Sequence, residues 1–190
     1  EALVADWPGV VEAAGLIGST QVQGRATLAG NLCNASPAAD SVPAMVAAGA
    51  VARIVGPQGT RDLPVLDVPQ GPGRTALERG EFIASIWLPP RGERAGDAYL
   101  RFIPRTEMDI AVVGCAVSLS LDEAGRVSGA RVALGAVGPK VILVEAAAEA
   151  LKHRALDAGA LDDLAAACSK AATPIDDKRG TVAFRKHVAG

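Results

Sequence analysis

Aromatic side chains are few in this 190-residue chain: two tryptophans, one tyrosine and three phenylalanines. That excludes a core built on large rings and leaves alanine, valine and leucine to supply the packing. Cysteine is scarce as well. Cys33, Cys115 and Cys168 are odd in number and far apart, so a disulfide framework is not expected, and a reducing compartment, the cytoplasm, is. His153 and His187 stand alone, and no C-x-x-C or H-x-x-x-H spacing occurs, so no metal site is expected. The basic residues are scattered and the net charge is −2, which argues against a surface that tracks nucleic-acid phosphates. No apolar run is long enough to span a bilayer, and the opening E-A-L-V-A-D-W-P-G lacks the charged-then-apolar pattern of a signal peptide. Neither a pair of carboxylates nor a Cys–His pair stands out, so no catalytic residue is expected. What remains is a chain 49% apolar, long enough for one large domain or two small ones.

The pattern along the chain predicts an α+β protein. A short helix is expected over residues 8–15. Another is expected over 42–48, with Ser41 or Asp40 as its cap, Pro43 in its first turn and Gly49 at its end. Residues 51–55 and 60–63 read as an antiparallel pair around the turn Gly56-Pro57-Gln58-Gly59, and 82–88 as a strand closed by Pro89-Pro90. The polar stretch R-G-E-R-A-G-D (91–97) divides the chain into units over 1–90 and 91–190. Beyond it, strands are expected over 99–103, 110–121 and 126–137, forming a three-stranded antiparallel meander. Helices over 144–154, 161–172 and 181–188 back it, with Asp157 or Asp162 near the start of the second and Pro174 breaking the chain after it. Thr106 and Glu107 read as a turn, Asp109 as a local cap or pair, and Glu145, Glu149 and Lys152 as exposed helix partners.

Residues 26–45, A-T-L-A-G-N-L-C-N-A-S-P-A-A-D-S-V-P-A-M, carry no basic residue at all. Gly30 allows close approach of a ligand to the backbone. Thr27, Asn31 and Asn34 offer neutral polar groups, free N–H groups in such a turn can cradle a phosphate, and Asp40 can accept from ribose-like or ribityl-like hydroxyls. The same small residues also suit tight helix packing, and Asn and Ser-Pro also make turns, so both uses stay open. A P-loop is excluded, since no G-K-[ST] occurs, and so is the G-x-G-x-x-G fingerprint of a Rossmann unit.

V-Q-G-R-A-T-L-A-G-N-L-C-N-A-S-P-A-A-D (22–40) resembles the signature of the FAD-binding subunit of molybdenum hydroxylases, the xanthine dehydrogenase and aerobic carbon monoxide dehydrogenase family. The preceding P-G-V-V-E-A-A-G-L-I-G-S-T-Q-V (8–22), F-I-A-S-I-W-L-P (82–89), Y-L-R-F-I-P-R-T-E-M-D-I-A (99–111) and G-A-R-V-A-L-G-A-V-G (129–138) are similar to that family too. The resemblance implies a partial flavin domain of PCMH type followed by the family's C-terminal domain. It implies FAD as cofactor, with a molybdenum-cofactor large subunit and a [2Fe–2S] small subunit as partners. Thr27, Ala29, Gly30 and Asn31 match the segment that lies on the FAD pyrophosphate, with Ala29 in place of the usual first glycine. Asp40 matches an acidic FAD contact, Asn34 a nearby polar position, and Ile83 an apolar residue beside the adenine. Arg101 matches a basic residue near the cofactor, and Ile17 and Val22 match apolar contacts upstream. The family also carries an upstream subdomain with a glycine-rich loop that this chain does not match, so a piece with half the cradle is expected to bind FAD weakly or not at all alone.

Overall fold

The computed structural model describes residues 2–106 and 108–190. Helices α1 (Ala2–Asp6), α2 (Pro8–Gly15), α3 (Thr20–Gln23), α4 (Leu28–Cys33) and α5 (Ser41–Ala47) come first. Strands β1 (Val51–Gly56) and β2 (Gly59–Pro64) follow, then a 3-10 turn at Val65–Asp67, the small hairpin β3 (Pro69–Gly71) and β4 (Arg74–Thr75), and β5 (Phe82–Trp87). The second half holds β6 (Ala95–Phe102), β7 (Val113–Leu121), β8 (Val127–Gly135) and β9 (Ile142–Leu143). Helices α6 (Glu145–Leu151), α7 (Ala158–Ala171) and α8 (Val182–Ala189) close the chain. The α+β class is as expected. Among the described residues, no helix is long and apolar enough to cross a membrane.

Two larger antiparallel sheets are formed, in the orders β2-β1-β5 and β6-β7-β8-β9. The expected three-stranded meander gains a fourth member, because Ile142 and Leu143 pair with Leu134 and Ala133 at the edge of β8. Two residues are too few to show an alternating pattern. Strand β6 also starts earlier than 99, inside the polar stretch. Asp97 can sit there because Arg91 Nη1 donates to it at 2.6 Å, which neutralises the charge where the strand packs.

Helix α5 is the hub. All seven of its residues are buried, and it packs against α2, α4, β7 and β8. A helix buried on every side needs apolar or internally satisfied residues all round, which accounts for S-V-P-A-M-V-A. Its start is held differently from the sequence reading. Asp40 makes no side-chain cap; instead Asn31 Oδ1 accepts from the Ser41 hydroxyl at 2.7 Å and the Ser41 N–H at 3.3 Å. At its other end Arg131 of β8 donates from Nε and Nη2 to Val46 O at 3.2 and 2.9 Å, placing a cation on the helix's negative end. One core thus joins Trp7, Leu32, Met45 and Ala52 to Tyr99, Ala116 and Ala133. A second lies between the β7–β8 face and helices α6 to α8. Asp157 and Thr181 cap α7 and α8. Lys152 pairs with Glu149 and Asp109 with Arg105, while Glu107, one half of the expected turn, lies outside the described residues.

Candidate functional site

The segment expected as a turn folds as helix α4. Thr27 is extended, and its hydroxyl oxygen accepts from Gly30 N at 2.9 Å, an N-cap of the usual kind. Asn31 N donates to Thr27 O at 2.9 Å. The N–H groups of Leu28 and Ala29 have no acceptor among the described residues, as the first turn of a helix dictates. Gly30 is exposed beside them, and a Cβ built there meets one atom within 4 Å, the Thr27 hydroxyl at 3.0 Å. The face of α4 beside Gly30 is therefore open. Ala29 lies inside the helix with ordinary negative φ, so alanine adds no backbone strain there.

Thr27, Leu28 and Ile17 line one cleft of about 140 Å³ with Ala14, Gln23 and Ala26. Val22 is exposed on α3 and does not line this cleft. Asn34 caps the far end of α4, about 10 Å along the axis from Thr27, and is exposed. Asn31 points the other way: its carbonyl is committed to Ser41, which leaves only its amide N–H groups for a ligand. Ile83 is half-buried on β5, which packs against α4, and it belongs to the rim of the main core.

Asp40 and Arg101 form the site's ion pair. Arg101 Nη1 lies 3.2 Å from Asp40 Oδ2 and donates to Leu16 O at 2.8 Å, and the two side chains are only 8% and 13% exposed. Asp40 Oδ1 is buried and makes no hydrogen bond of good geometry, although the Tyr99 hydroxyl lies close enough to act on the carboxylate. Burial pushes the Asp40 carboxyl up, and the Arg101 charge and the neighbouring Tyr99 hydroxyl hold it back. Tyr99 is raised by its own burial and by the Asp40 charge, so it stays a neutral phenol. An orphaned carboxylate oxygen in a buried setting is costly unless a hydroxyl or N–H donor arrives. Leu16 and Tyr99 are members of this cluster that sequence reasoning missed. Leu16 contributes through its main chain, which carries no side-chain signal, and Tyr99 reads as an ordinary inward position of a strand.

The arrangement presents main-chain amides, neutral polar groups and one carboxylate, with its nearest cation already paired. Comparison with known proteins narrows this. The model of the FAD binding domain in molybdopterin dehydrogenase matches residues 1–91, and that of the CO dehydrogenase flavoprotein C-terminal domain matches 98–190. The xanthine dehydrogenase FAD-binding subunit of Escherichia coli O157:H7 is 30% identical over 182 residues, 95% of this chain and 62% of that protein. The carbon monoxide dehydrogenase medium chain of Afipia carboxidovorans is 32% identical over 188 residues, 99% of this chain and 65% of that one. Among solved structures, the reconstituted CO dehydrogenase from Oligotropha carboxidovorans superposes with a TM-score of 0.93 at 31% identity, covering 100% of this chain and 65% of that chain. Quinoline 2-oxidoreductase from Pseudomonas putida 86 gives 0.88 at 26%, covering 99% of this chain and 65% of that one. The chain belongs to the family of FAD-binding medium subunits of xanthine and carbon monoxide dehydrogenases, and it spans less than two thirds of the length of these relatives.

Proposed function

We propose that this chain holds FAD within a molybdenum hydroxylase complex, where it receives electrons from [2Fe–2S] clusters and hands them to an external acceptor. The observation that carries the reading is the pairing of two vacancies for hydrogen bonds. The first turn of α4 offers free N–H groups beside a bare glycine, and Asp40 Oδ1 sits buried with no well-formed hydrogen bond. A diphosphate fits the first and a polyol hydroxyl fits the second, so the residues present suit FAD. The cofactor, when bound, supplies the redox chemistry. The chain's own side chains bind and orient: Thr27, Ala29 and Gly30 face the diphosphate, and Asn31 adds its amide. Ile17, Val22 and Ile83 give apolar contact, Asn34 a neutral polar one, and Arg101 opposes the burial that pushes the Asp40 carboxyl up and aims it. Residues 1–90 form the flavin-facing unit and 91–190 the C-terminal unit. The three free cysteines suit a reducing cytoplasm.

The test is an absorbance and fluorescence titration with FAD, run on this chain and on the chain joined to the upstream subdomain that the family resemblance implies. Saturable quenching of flavin fluorescence by the longer form, weaker in the shorter, is expected. Free flavin emission in both at millimolar FAD rejects the reading. The rival role is an assembly module that docks other subunits without retaining flavin, and the exposed apolar face of β6 is what favours it.

A further inference from the structure

The loop after α4, the tip of the β3–β4 hairpin and three loops of the second half enclose a cavity of about 340 Å³. Pro37, Pro72, Pro139 and Pro174 form much of its wall, and Ile110 and Ile175 line it with exposed side chains. Proline has a fixed φ and no N–H, so such a wall is rigid and offers few main-chain donors. The cavity shares no lining residue with the cleft of Thr27 and Ile17. Long-range main-chain bonds hold its walls together. Ala136 N donates to Pro37 O at 2.7 Å, Gly73 N to Ala35 O at 3.2 Å and Thr173 N to Val137 O at 2.8 Å. Two of the residues clamped in this way, Ala35 and Ala136, have φ of 49° and 63°. Alanine rests in that left-handed region only where its surroundings hold it there, and such strain collects at ligand sites.

Arg185 of α8 also lines the cavity, and its side chain is only 5% exposed. Its Nη1 donates to Val112 O at 3.1 Å and to Ala136 O at 3.4 Å, and its Nη2 to Asp177 Oδ1 at 2.6 Å. Its Nε is buried and meets no acceptor among the described residues. A buried N–H left without an acceptor is costly, so an oxygen supplied by a ligand is favoured there. The charge of the guanidinium is already balanced. Arg185, Asp177, Arg179 and Asp109 follow one another as ion pairs, two of each sign, and the further partner of Asp109, Arg105, lies in solvent. Asp177 itself lines the cavity, so a ligand carboxylate would meet a like charge and a neutral oxygen would not. A largely apolar, pre-formed cavity with one or two fixed polar groups is the usual form of a small-molecule site.

We propose that this cavity binds a small, neutral, largely apolar ring that presents a carbonyl oxygen to the Arg185 Nε–H. The site is separate from the flavin cleft and does not depend on flavin being bound. The test is NMR of the isotopically labelled chain, titrated with three ring probes of similar size: tetralone, which has the carbonyl, tetralin, which lacks it, and naphthoate, which is charged. Tetralone should shift the amide resonances of Ala111, Gly138 and Thr173 saturably, and bind about tenfold more tightly than either of the others. Ile110→Ala/Ile175→Ala should weaken binding of tetralone several-fold with melting unchanged, because both side chains are exposed. Arg185→Lys keeps a cation beside Asp177 and removes the Nε–H, so it should bring tetralone down to the affinity of tetralin. If that variant does not fold, the probe series on the unaltered chain decides. No saturable shift at the cavity with millimolar tetralone overturns the site. Equal binding of tetralone and tetralin overturns recognition of the carbonyl, and tighter binding of naphthoate overturns a neutral ligand. Competition between FAD and tetralone for the same resonances would make the cavity the seat of the flavin ring and overturn a separate site.

Discussion

At the scale of single residues, the candidate site turns on what is left unsatisfied. A Cβ at Gly30 would meet one atom, the capping Thr27 hydroxyl, closely at 3.0 Å. Gly30→Val therefore displaces the Thr27 hydroxyl by a few tenths of an ångström and fills the space a diphosphate needs. The expected result is loss of FAD retention in the flavin-binding form, read from the absorbance spectrum, with a single cooperative melt retained. Asp40→Ala should be milder. It removes one charged acceptor, worth about 1–3 kcal/mol of FAD affinity, and leaves Arg101 with Leu16 O as its partner. A titration showing equal affinity would mean that Asp40 Oδ1 faces no hydroxyl of the cofactor. Residue types at this scale were legible beforehand: Thr27, Gly30 and Asp40 are neutral, bare or acidic wherever they are placed. What Asn31 does was not, because an amide that caps a neighbouring helix and an amide that meets a ligand read alike.

At the scale of elements, close approach decides. Helix α2 runs against β6 through Gly9, where a Cβ would stand 2.6 Å from Asp97 Oδ2 and 3.0 Å from the Ala98 backbone. Alanine would gain at most about 1 kcal/mol of helix propensity. Against that, forcing the helix off a backbone and a paired carboxylate costs about 1–3 kcal/mol, so Gly9→Ala should lower the unfolding free energy in a denaturant titration. Strand β2 is tied to the segment before β5 by Arg61, whose Nε and Nη2 reach the two Glu81 oxygens at 2.8 and 2.7 Å. That pairing, with the Glu78 N–H, holds the Glu81 carboxyl down to about 2 from an ordinary 4.5. Its stabilisation is therefore fully present above pH 4.5 and is lost as pH falls towards about 2. Glu81→Gln should be less stable at neutral pH and show a shallower decline across that acid window. An unchanged acid-unfolding profile would refute the assignment. Strands over 51–64 and 82–87 were readable because apolar runs are bounded by Gly and Pro turns. Helix α4 and strand β9 were not, since segments of six and two residues carry too little periodicity to declare an element.

At the scale of the whole molecule, the halves on either side of residues 91–97 share a core. Helix α5 lies in the first half by sequence yet packs on β7 and β8, and Arg131 of β8 grips its last carbonyls. Heating the chain should consequently give one cooperative transition by calorimetry, and Arg131→Met should lower it without splitting it. Two resolved transitions would show the halves to be independent. The sequence by itself determined the α+β class, most helix and strand positions, the absence of a basic phosphate grip over residues 26–45, and the family resemblance, because these follow from local spacing and residue chemistry. Only the tertiary structure decided that Asn31 holds Ser41, that Arg101 joins Asp40 to the Leu16 carbonyl, and that β6 is left largely bare on one face. Each of these joins residues far apart in the chain or depends on where a layer of helices ends, and local pattern holds no record of either.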